Sequence, residues 1–318
     1  MRALLVHNPA AGGGRSERLL PEVLERLRTV GIDPEPYRTS SLQDATAAAR
    51  KAAGSMDAVL AMGGDGTVGA CATGLANAAA AAGAPGAGAI AALGVIPAGG
   101  GNDAARNLGL PFADPIAAAT LLPSLVRRRI DLVRTGELFV LNAAGAGFDA
   151  EVSRIANQRL SRAPARLRYA GAVLAELAVG RAAGFRLRLD DRVIETSAWL
   201  VAVANSQSYG GGMRIAPPAM LDDGLLDMVI VSGELSKAGF LRTFPKVFSG
   251  RHVEHPLVSC HRARRVELEA DRPVAVHVDG EPAGATPASF EVVAGAIAVL
   301  AGERPPALAA VTPGPYAP

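Results

Sequence analysis

The chain has 318 residues, 49% of them hydrophobic but few aromatic, so alanine, valine and leucine must supply most of the packing. That length holds two domains of ordinary size, and a formal charge of +2, near balance, gives no support to a nucleic-acid-binding footprint over the whole surface. Two cysteines in unrelated contexts, Cys71 and Cys260, exclude a disulfide framework and a cysteine-built zinc site and fit a reducing compartment.

The first apolar run, Ala3 to Val6, is too short for a signal peptide and reads as a buried strand, followed by the loop "HNPAAGGGRS". Leu19, Leu20, Val23, Leu24, Leu27 and Val30 then recur at helical spacing. A second strand is expected over Ala58 to Met62, leading into "GGDGT" and an alanine-rich helix that ends in a loop within Ala76 to Ala92. A third, Ala91 to Ile96, leads into "PAGGGNDAARNLGL", where a helix opens at Asn102 or Asp103. Strand, glycine loop and helix thus repeat three times, the pattern of a parallel sheet covered by helices.

The pattern changes near Arg127. A helical stretch from Glu151 to about Arg181 precedes short strands with Asp/Gly/Pro turns, the signature of an antiparallel sheet or sandwich. One helical insertion is expected between Ser236 and Phe248. The expected organisation is an α/β nucleotide-binding domain over 1–126 and a β-rich domain over 127–302, with a last strand near 295–305 packing back on the first domain. A proline-rich flexible tail, 303–318, completes it. No window holds about 18 unbroken apolar residues, so a soluble, cytoplasmic protein is expected.

Glycine loops after parallel strands converge on a crevice where backbone N–H groups suit phosphate oxygens. No G-x-x-x-x-G-K-[ST] occurs, which argues against a P-loop NTPase. "GAGFDA", Gly145 to Ala150, matches a dinucleotide fingerprint, but the acidic residue about 20 positions on, at a second strand end, is replaced by the helical "RYAGAVLAELAVG". Nicotinamide or flavin binding is therefore not expected. Asp65, Asp103, Asp131, Asp222, Asp223, Asp227, Asp279 and Glu281 each sit in or beside a glycine turn or strand end. Any one of them alone is ordinary turn chemistry. Together with the glycine loops they have the makings of phosphoryl transfer, which needs carboxylates on a divalent cation, a base, and donors for phosphate.

In order along the chain, "NPAAGGG", "GGDGTV", "PAGGGNDAARNLGL", "IDLV", "NAAGAGFDAEV", "GGGMRIAPPAMLDDGLLDMVIV" and "VDGEP" resemble the diacylglycerol kinase catalytic family of lipid kinases, which includes sphingosine kinases. "GGDGT" alone is shared with NAD kinases; "DDGLLD" followed by "VDGE" is the part specific to the lipid kinases. The resemblance implies an N-terminal α/β domain and a C-terminal β-sandwich with the active site in the cleft between them. It implies ATP and Mg²⁺ as cofactors and a lipid hydroxyl as acceptor, diacylglycerol being one example. Asn8, Gly12 and Thr39 would lie along the nucleotide, and Gly63, Gly64, Asp65, Gly66 and Thr67 would form the phosphate loop. Gly99, Gly100, Asn102 and Asp103 would follow the next strand. Asp131 would stand on the substrate side, and Asp223 would hold a magnesium ion beside the carbonyls of Met220 and Leu225. Asp279 and Glu281 match the motif from which the general base is proposed, and Asp65 would complete the catalytic set.

One departure stands out. The family usually reads Pro-x-Gly-Thr where this chain has Pro97-Ala98-Gly99-Gly100, so Gly100 lacks a hydroxyl for phosphate. Between Arg154 and Arg168 lie five arginines and no acid, followed by an apolar helical segment. Such a run either lies on an anionic membrane at its inner face or forms a solvated helix face. The partners expected are a lipid substrate, a membrane surface and no nucleic acid, with a homodimer allowed. Two other readings stay open: an NAD kinase-like enzyme acting on a soluble nucleotide, whose "NE" loop is absent here, and a non-catalytic nucleotide-binding relative.

Overall fold

In the computed structural model, residues 1–83, 90–158 and 165–302 are described, without the side chains of 153, 156–158 and 165–170. The tail 303–318 and most of the Arg154–Arg168 run therefore lie outside the described residues or side chains. Two compact units emerge: one of Met1–Leu141, Leu221–Gly224 and the chain from Val293, the other of Asn142–Met220 and Leu225–Val292.

The first unit begins β1 (Arg2–His7), α1 (Ala11–Thr29), β2 (Asp33–Arg38), α2 (Leu42–Ala52), β3 (Ala58–Gly63), α3 (Asp65–Ala81), β4 (Ala92–Pro97), α4 (Asp103–Asn107) and α5 (Pro115–Leu121). All neighbouring pairs in the order β4-β3-β1-β2 are parallel. β3 and β4 are buried along their whole length, as strands covered on both faces must be. β2 reads "DPEPYR" and was not expected. It is the edge strand, where prolines are tolerated because their missing donors face away from the ladder. Helices start on side-chain caps: Ser41 accepts from Asp44 N–H for α2, and Asp114 accepts from Ile116 and Ala117 N–H for α5. α3 is built of small residues and packs so closely on α2 that a Cβ on Gly74 would strike the Thr46 carbonyl.

β5 (Val126–Thr135) begins where the sequence pattern changes, and the first unit keeps it together with β6 (Leu138–Val140). β5 pairs with the last strand, Ala288–Ala301, whose Val299 lies opposite Leu93 of β4 in parallel register. Asp131, only 2% exposed, gathers three separate pieces of chain. Its carboxylate accepts from Gly224 N–H (2.7 Å) and Gly295 N–H (2.6 Å), and its own N–H donates to the Leu221 carbonyl (2.6 Å). Arg129, two residues earlier, donates to the Gly295 carbonyl.

The second unit holds β7 (Ala143–Gly147), α6 (Phe148–Gln158), α7 (Ala165–Val179), β8 (Ala183–Leu189), β9 (Arg192–Ala204), β10 (Leu226–Ser232), α8 (Lys237–Thr243), β11 (Val258–Ala263), β12 (Arg265–Ala270), β13 (Ala275–Val278), β14 (Glu281–Ala285) and the start of β15 (Ala288–Ala301). Its ladders are antiparallel. The long strand β9 pairs along its first half with β8 and along its second half with β7 and β10, and β8 continues through β12 to β15. The strand before "GAGFDA", β7, has only the antiparallel neighbours β9 and β13 among the described pairings, so no βαβ unit supports a dinucleotide site there. The core under α6, α7 and α8 is aromatic: Phe148, Trp199 and Phe240 meet with ring centroids 4.5–6.4 Å apart.

Asp131→Ala orphans two backbone donors, and each unsatisfied buried group costs about 1–3 kcal/mol. The urea midpoint of the variant should fall clearly below that of the parent, whereas Asp131→Asn, which keeps an acceptor, should lose less.

Candidate functional site

The glycine loops of the first unit stack at the carboxyl ends of the parallel strands. A Cβ on Gly99 would collide with the Gly64 Cα, and a Cβ on Gly12 would collide with the Ala98 carbonyl oxygen. A Cβ on Gly63 would lie 2.5 Å from Thr67 Oγ1. The loops after β1, β3 and β4 are therefore in backbone contact, an approach that glycine alone permits. Gly12, Gly13 and Gly14 have φ of 60°, 64° and 85°, a run of left-handed backbone at the start of α1 that glycine adopts without strain. Gly13, Gly14 and Gly100 have nothing within 4 Å of a built Cβ.

Side chains lock this arrangement. Asn8 accepts from Ala10 N–H (3.0 Å) and donates to Thr67 Oγ1 (3.2 Å), joining the loop after β1 to the start of α3. Asn102, in the left-handed region at φ 54°, accepts from Gly99 N–H and donates to the Gly99 and Phe112 carbonyls. Asp65 Oδ1 accepts from Ala104 N–H at 2.8 Å, which ties the phosphate-loop candidate to α4. Asp103 is buried with Arg106 Nε 3.6 Å away, and the Arg106 guanidinium lies 3.7 Å over the Phe112 ring. Thr39 sits at the end of β2, its N–H on the His7 carbonyl and its hydroxyl on the Ser41 carbonyl. Asn8, Gly12, Thr39, Gly63, Gly64, Asp65, Gly66, Thr67, Gly99, Gly100, Asn102 and Asp103 thus lie on one set of loops at one end of one sheet.

The remaining candidates fall into separate groups. Asp131 braces the loop that carries Asp222 and Asp223, and both of these are half-buried. Met220, 38% exposed, and Leu225 belong to the second unit. Asp227 lies opposite Arg262 in the β10–β11 register, with Arg262 Nε at 2.9 Å, a cross-strand ion pair. Asp279, in the second unit, ends β13 with φ 47°. Its Oδ1 accepts from Asn142 and Ala143 N–H (2.9 and 3.2 Å), so the carboxylate holds its own turn against the start of β7. Glu281 is exposed at the start of β14.

A buried cluster that no sequence motif marks lies beside that turn. His277 Nε2 lies 2.7 Å from Asp149 Oδ2, Tyr209 donates its hydroxyl to the same oxygen at 3.1 Å, and the Tyr209 and His277 rings stack 5.8 Å apart. A Cβ on Gly145 would strike the Asp149 carboxylate, which explains a glycine in mid-strand. The available signal was a histidine two residues before "DGE" in an apolar strand. Burial pulls the His277 pKa down, while the charge and hydrogen bond of Asp149, with the charge of Asp279, raise it further, and the net direction is up.

Comparison with known proteins follows these features closely. Residues 2–135 match the diacylglycerol kinase catalytic domain, and residues 142–301 match the YegS C-terminal NAD kinase beta sandwich-like domain. A diacylglycerol kinase of Mycobacterium tuberculosis (strain ATCC 25618 / H37Rv) is 37% identical, over 92% of this chain and 93% of the relative. One from Bacillus subtilis (strain 168) is 29% identical, over 91% and 92%. The crystal structure of a diacylglycerol kinase from Bacillus anthracis str. Sterne, 23% identical, superposes with a TM-score of 0.71, covering 95% of this chain and 97% of that one, and shares the fold. The fold and its loops define a kinase-type α/β unit joined to a β-sandwich. The chain belongs to the diacylglycerol kinase family.

A histidine whose pKa is raised on folding adds stability fully present below its unfolded value of about 6.5 and lost as pH rises through the folded value. The unfolding free energy should therefore decline as pH is raised above about 6.5. Asp149→Asn should flatten that decline and lower stability at acidic pH by roughly 3 kcal/mol, the scale for breaking a buried pair. Urea titrations across this range check both.

Proposed function

We propose that the protein is an ATP- and magnesium-dependent lipid kinase that transfers the γ-phosphate to a hydroxyl of a lipid such as diacylglycerol. The observation that carries this reading is the backbone contact of the loops after β1, β3 and β4, with the Asp65 carboxylate held at their edge by Ala104 N–H. The triphosphate would rest on the N–H groups of Gly12–Gly14 and of the Gly63–Thr67 loop, with Asn8 and Thr39 beside the nucleotide. Asp65, which uses Oδ1 on Ala104 N–H, would be the carboxylate ligand of the cation, with phosphate oxygens completing its shell, because no group of three acidic, histidine or cysteine ligands gathers among the described residues. Bound magnesium would neutralise charge on the transferring phosphoryl group. In this reading Asp223, with the carbonyls of Met220 and Leu225, holds a second, fold-ordering ion. Asp279, with Glu281, takes the proton of the lipid hydroxyl. Peripheral contact with the membrane through Arg154–Arg168 belongs to the same reading. Against an NAD kinase-like activity stands the match of residues 2–135 to the diacylglycerol kinase catalytic domain.

ATP consumption measured with and without diacylglycerol in detergent micelles tests the proposal. Turnover that requires the lipid is the expected result, and turnover that requires a soluble nucleotide instead would overturn it. Asp65→Asn and Asp279→Asn should each lower kcat at least about 10²-fold with the fold retained. Asparagine keeps the acceptor each backbone bond needs, and it tolerates the left-handed conformation of Asp279. Gly100 is absent from the positive-φ residues, and its Cβ would stand in open space, so Gly100→Thr introduces no backbone strain. Restoring the hydroxyl should tighten ATP binding by up to about tenfold, the equivalent of one added hydrogen bond, as read by calorimetry.

A further inference from the structure

Helix α7 is oriented with the wrong side to water. In its last turns the buried residues are Ala172, Val173 and Leu177, which pack in the aromatic core. The exposed ones are Leu174 (58%), Ala175, Ala178 and Val179 (76%), at positions i, i+1, i+4 and i+5, two adjoining i, i+4 rows of the helix surface. A surface helix normally shows charged and polar residues there. The one charged side chain in this stretch, Glu176, is half-buried and lines a cavity of about 330 Å³ together with Phe148, Glu151, Trp199 and the exposed Val179. Burial, and then the charge of Glu151, push its carboxyl above the usual carboxylate range, against the pull of Arg154 and Lys237.

Helix α8 extends the same surface. Lys237 Nζ donates to the Ala178 carbonyl at 2.9 Å, which fixes the first residue of α8 beside Val179. Leu241, four residues on and so on the same face of α8, is 43% exposed, while Phe240 turns inward onto Phe148 and Trp199. In the following 3-10 turn, Phe244–Ser249, Val247 is buried and Phe248 is 54% exposed. From Lys237 to Arg251 the chain carries Lys237, Arg242, Lys246 and Arg251 and no carboxylate. The nearest acids in sequence are Glu234, which is exposed, and Glu254, which is taken up by Arg251 at 3.3 Å. Arg242 and Lys246 are exposed and have no side-chain partner among the described residues.

We propose that the outer face of α7, with Leu241 and Phe248, is the surface on which the protein lies against an anionic lipid bilayer, Arg242 and Lys246 meeting the headgroups. Apolar anchors flanked by unpaired cations are the composition of an interfacial segment. A second copy of the chain is the poorer occupant, because a two-fold contact would set the same cations against themselves. The inference rests on the lipid kinase reading for its purpose, not for its geometry.

The test uses the full-length protein and vesicles of phosphatidylcholine with or without phosphatidylglycerol, read by co-sedimentation without ATP. The parent should bind the anionic vesicles at low salt and leave them as salt rises. Arg242→Gln with Lys246→Gln should weaken that binding about tenfold or more, given roughly a factor of five per surface cation. Leu174→Ser, Val179→Ser and Phe248→Ser together should abolish it. Every site is exposed, so melting temperature and ATP affinity should match the parent, and Arg154–Arg168 is untouched in all variants. Parental vesicle binding by the apolar triple variant would overturn the proposal. So would a parent dimer in solution that the triple variant dissociates, since the face would then belong to a second copy. Altered vesicle binding with no lipid phosphorylated in micelles would leave the docking surface standing and sink the kinase reading. Lipid phosphorylation with unaltered vesicle binding would do the reverse.

Discussion

The loops after β1, β3 and β4 meet with no room for a Cβ between them, and the rest of the candidate site depends on that contact. Gly99 lies against Gly64, and Gly12 against the Ala98 carbonyl. At these approaches no side chain fits, so the main chain itself forms that part of the surface. The side chains that do enter have structural bonds as well: Asn8 to Thr67, Asn102 to Gly99, Asp65 to Ala104. A loop system braced in this way is set before any ligand arrives, which is what electrostatic stabilisation of a transferring phosphoryl group requires. Gly100 differs from its neighbours because no close approach demands a glycine there. Its missing side chain is a matter of ligand contact and not of packing.

Asp131 does for the chain's path what the glycines do for the site. The first unit is discontinuous in sequence, and its short returning segment, Leu221–Gly224, holds few apolar residues with which to anchor itself. One buried carboxylate substitutes for that core by taking the N–H groups of Gly224 and Gly295. A carboxylate that accepts two backbone donors is committed to holding loops. The aspartate of "IDLV" therefore has a structural reason to be where it is, whatever stands opposite it in a complex.

Much of this was legible in the sequence because periodicity and glycine loops are local signals. β1, β3 and β4, the loops after them and the helix opening at Asp103 follow from apolar runs punctuated by glycine. β2 was not legible, since "DPEPYR" lacks the apolar residues of a strand and owes its place to hydrogen bonds along β1. The Asp149–His277 pair was hidden for a different reason. Its members are 128 residues apart and meet only because β13 pairs with β7 in a register that sets His277 opposite Gly145. Among the acids, proximity to a glycine turn did not separate roles: Asp227 is half of a cross-strand ion pair with Arg262, while Asp279 holds its own left-handed turn. That distinction is tertiary, and no spacing rule contains it.

The polarity of α7 shows how an amphipathic pattern can mislead by being read only for its apolar content. Residues 171–179 contain two apolar faces, and sequence alone cannot say which one packs inward. The aromatic rings of Phe148, Trp199 and Phe240 decide it, because Ala172, Val173 and Leu177 face that side. The other face is then left to solvent with Leu174 and Val179 on it, at a cost that burial elsewhere must offset. A chain that only needed a soluble helix could place lysine or glutamate at either position without touching the core. Its single acid, Glu176, is instead half-buried against a cavity, and the neighbouring α8 segment contributes exposed cations and further exposed apolar side chains. Each feature alone is unremarkable on a protein surface. Their coincidence on adjoining elements of one unit fits a surface shaped by contact with lipid better than one shaped by water.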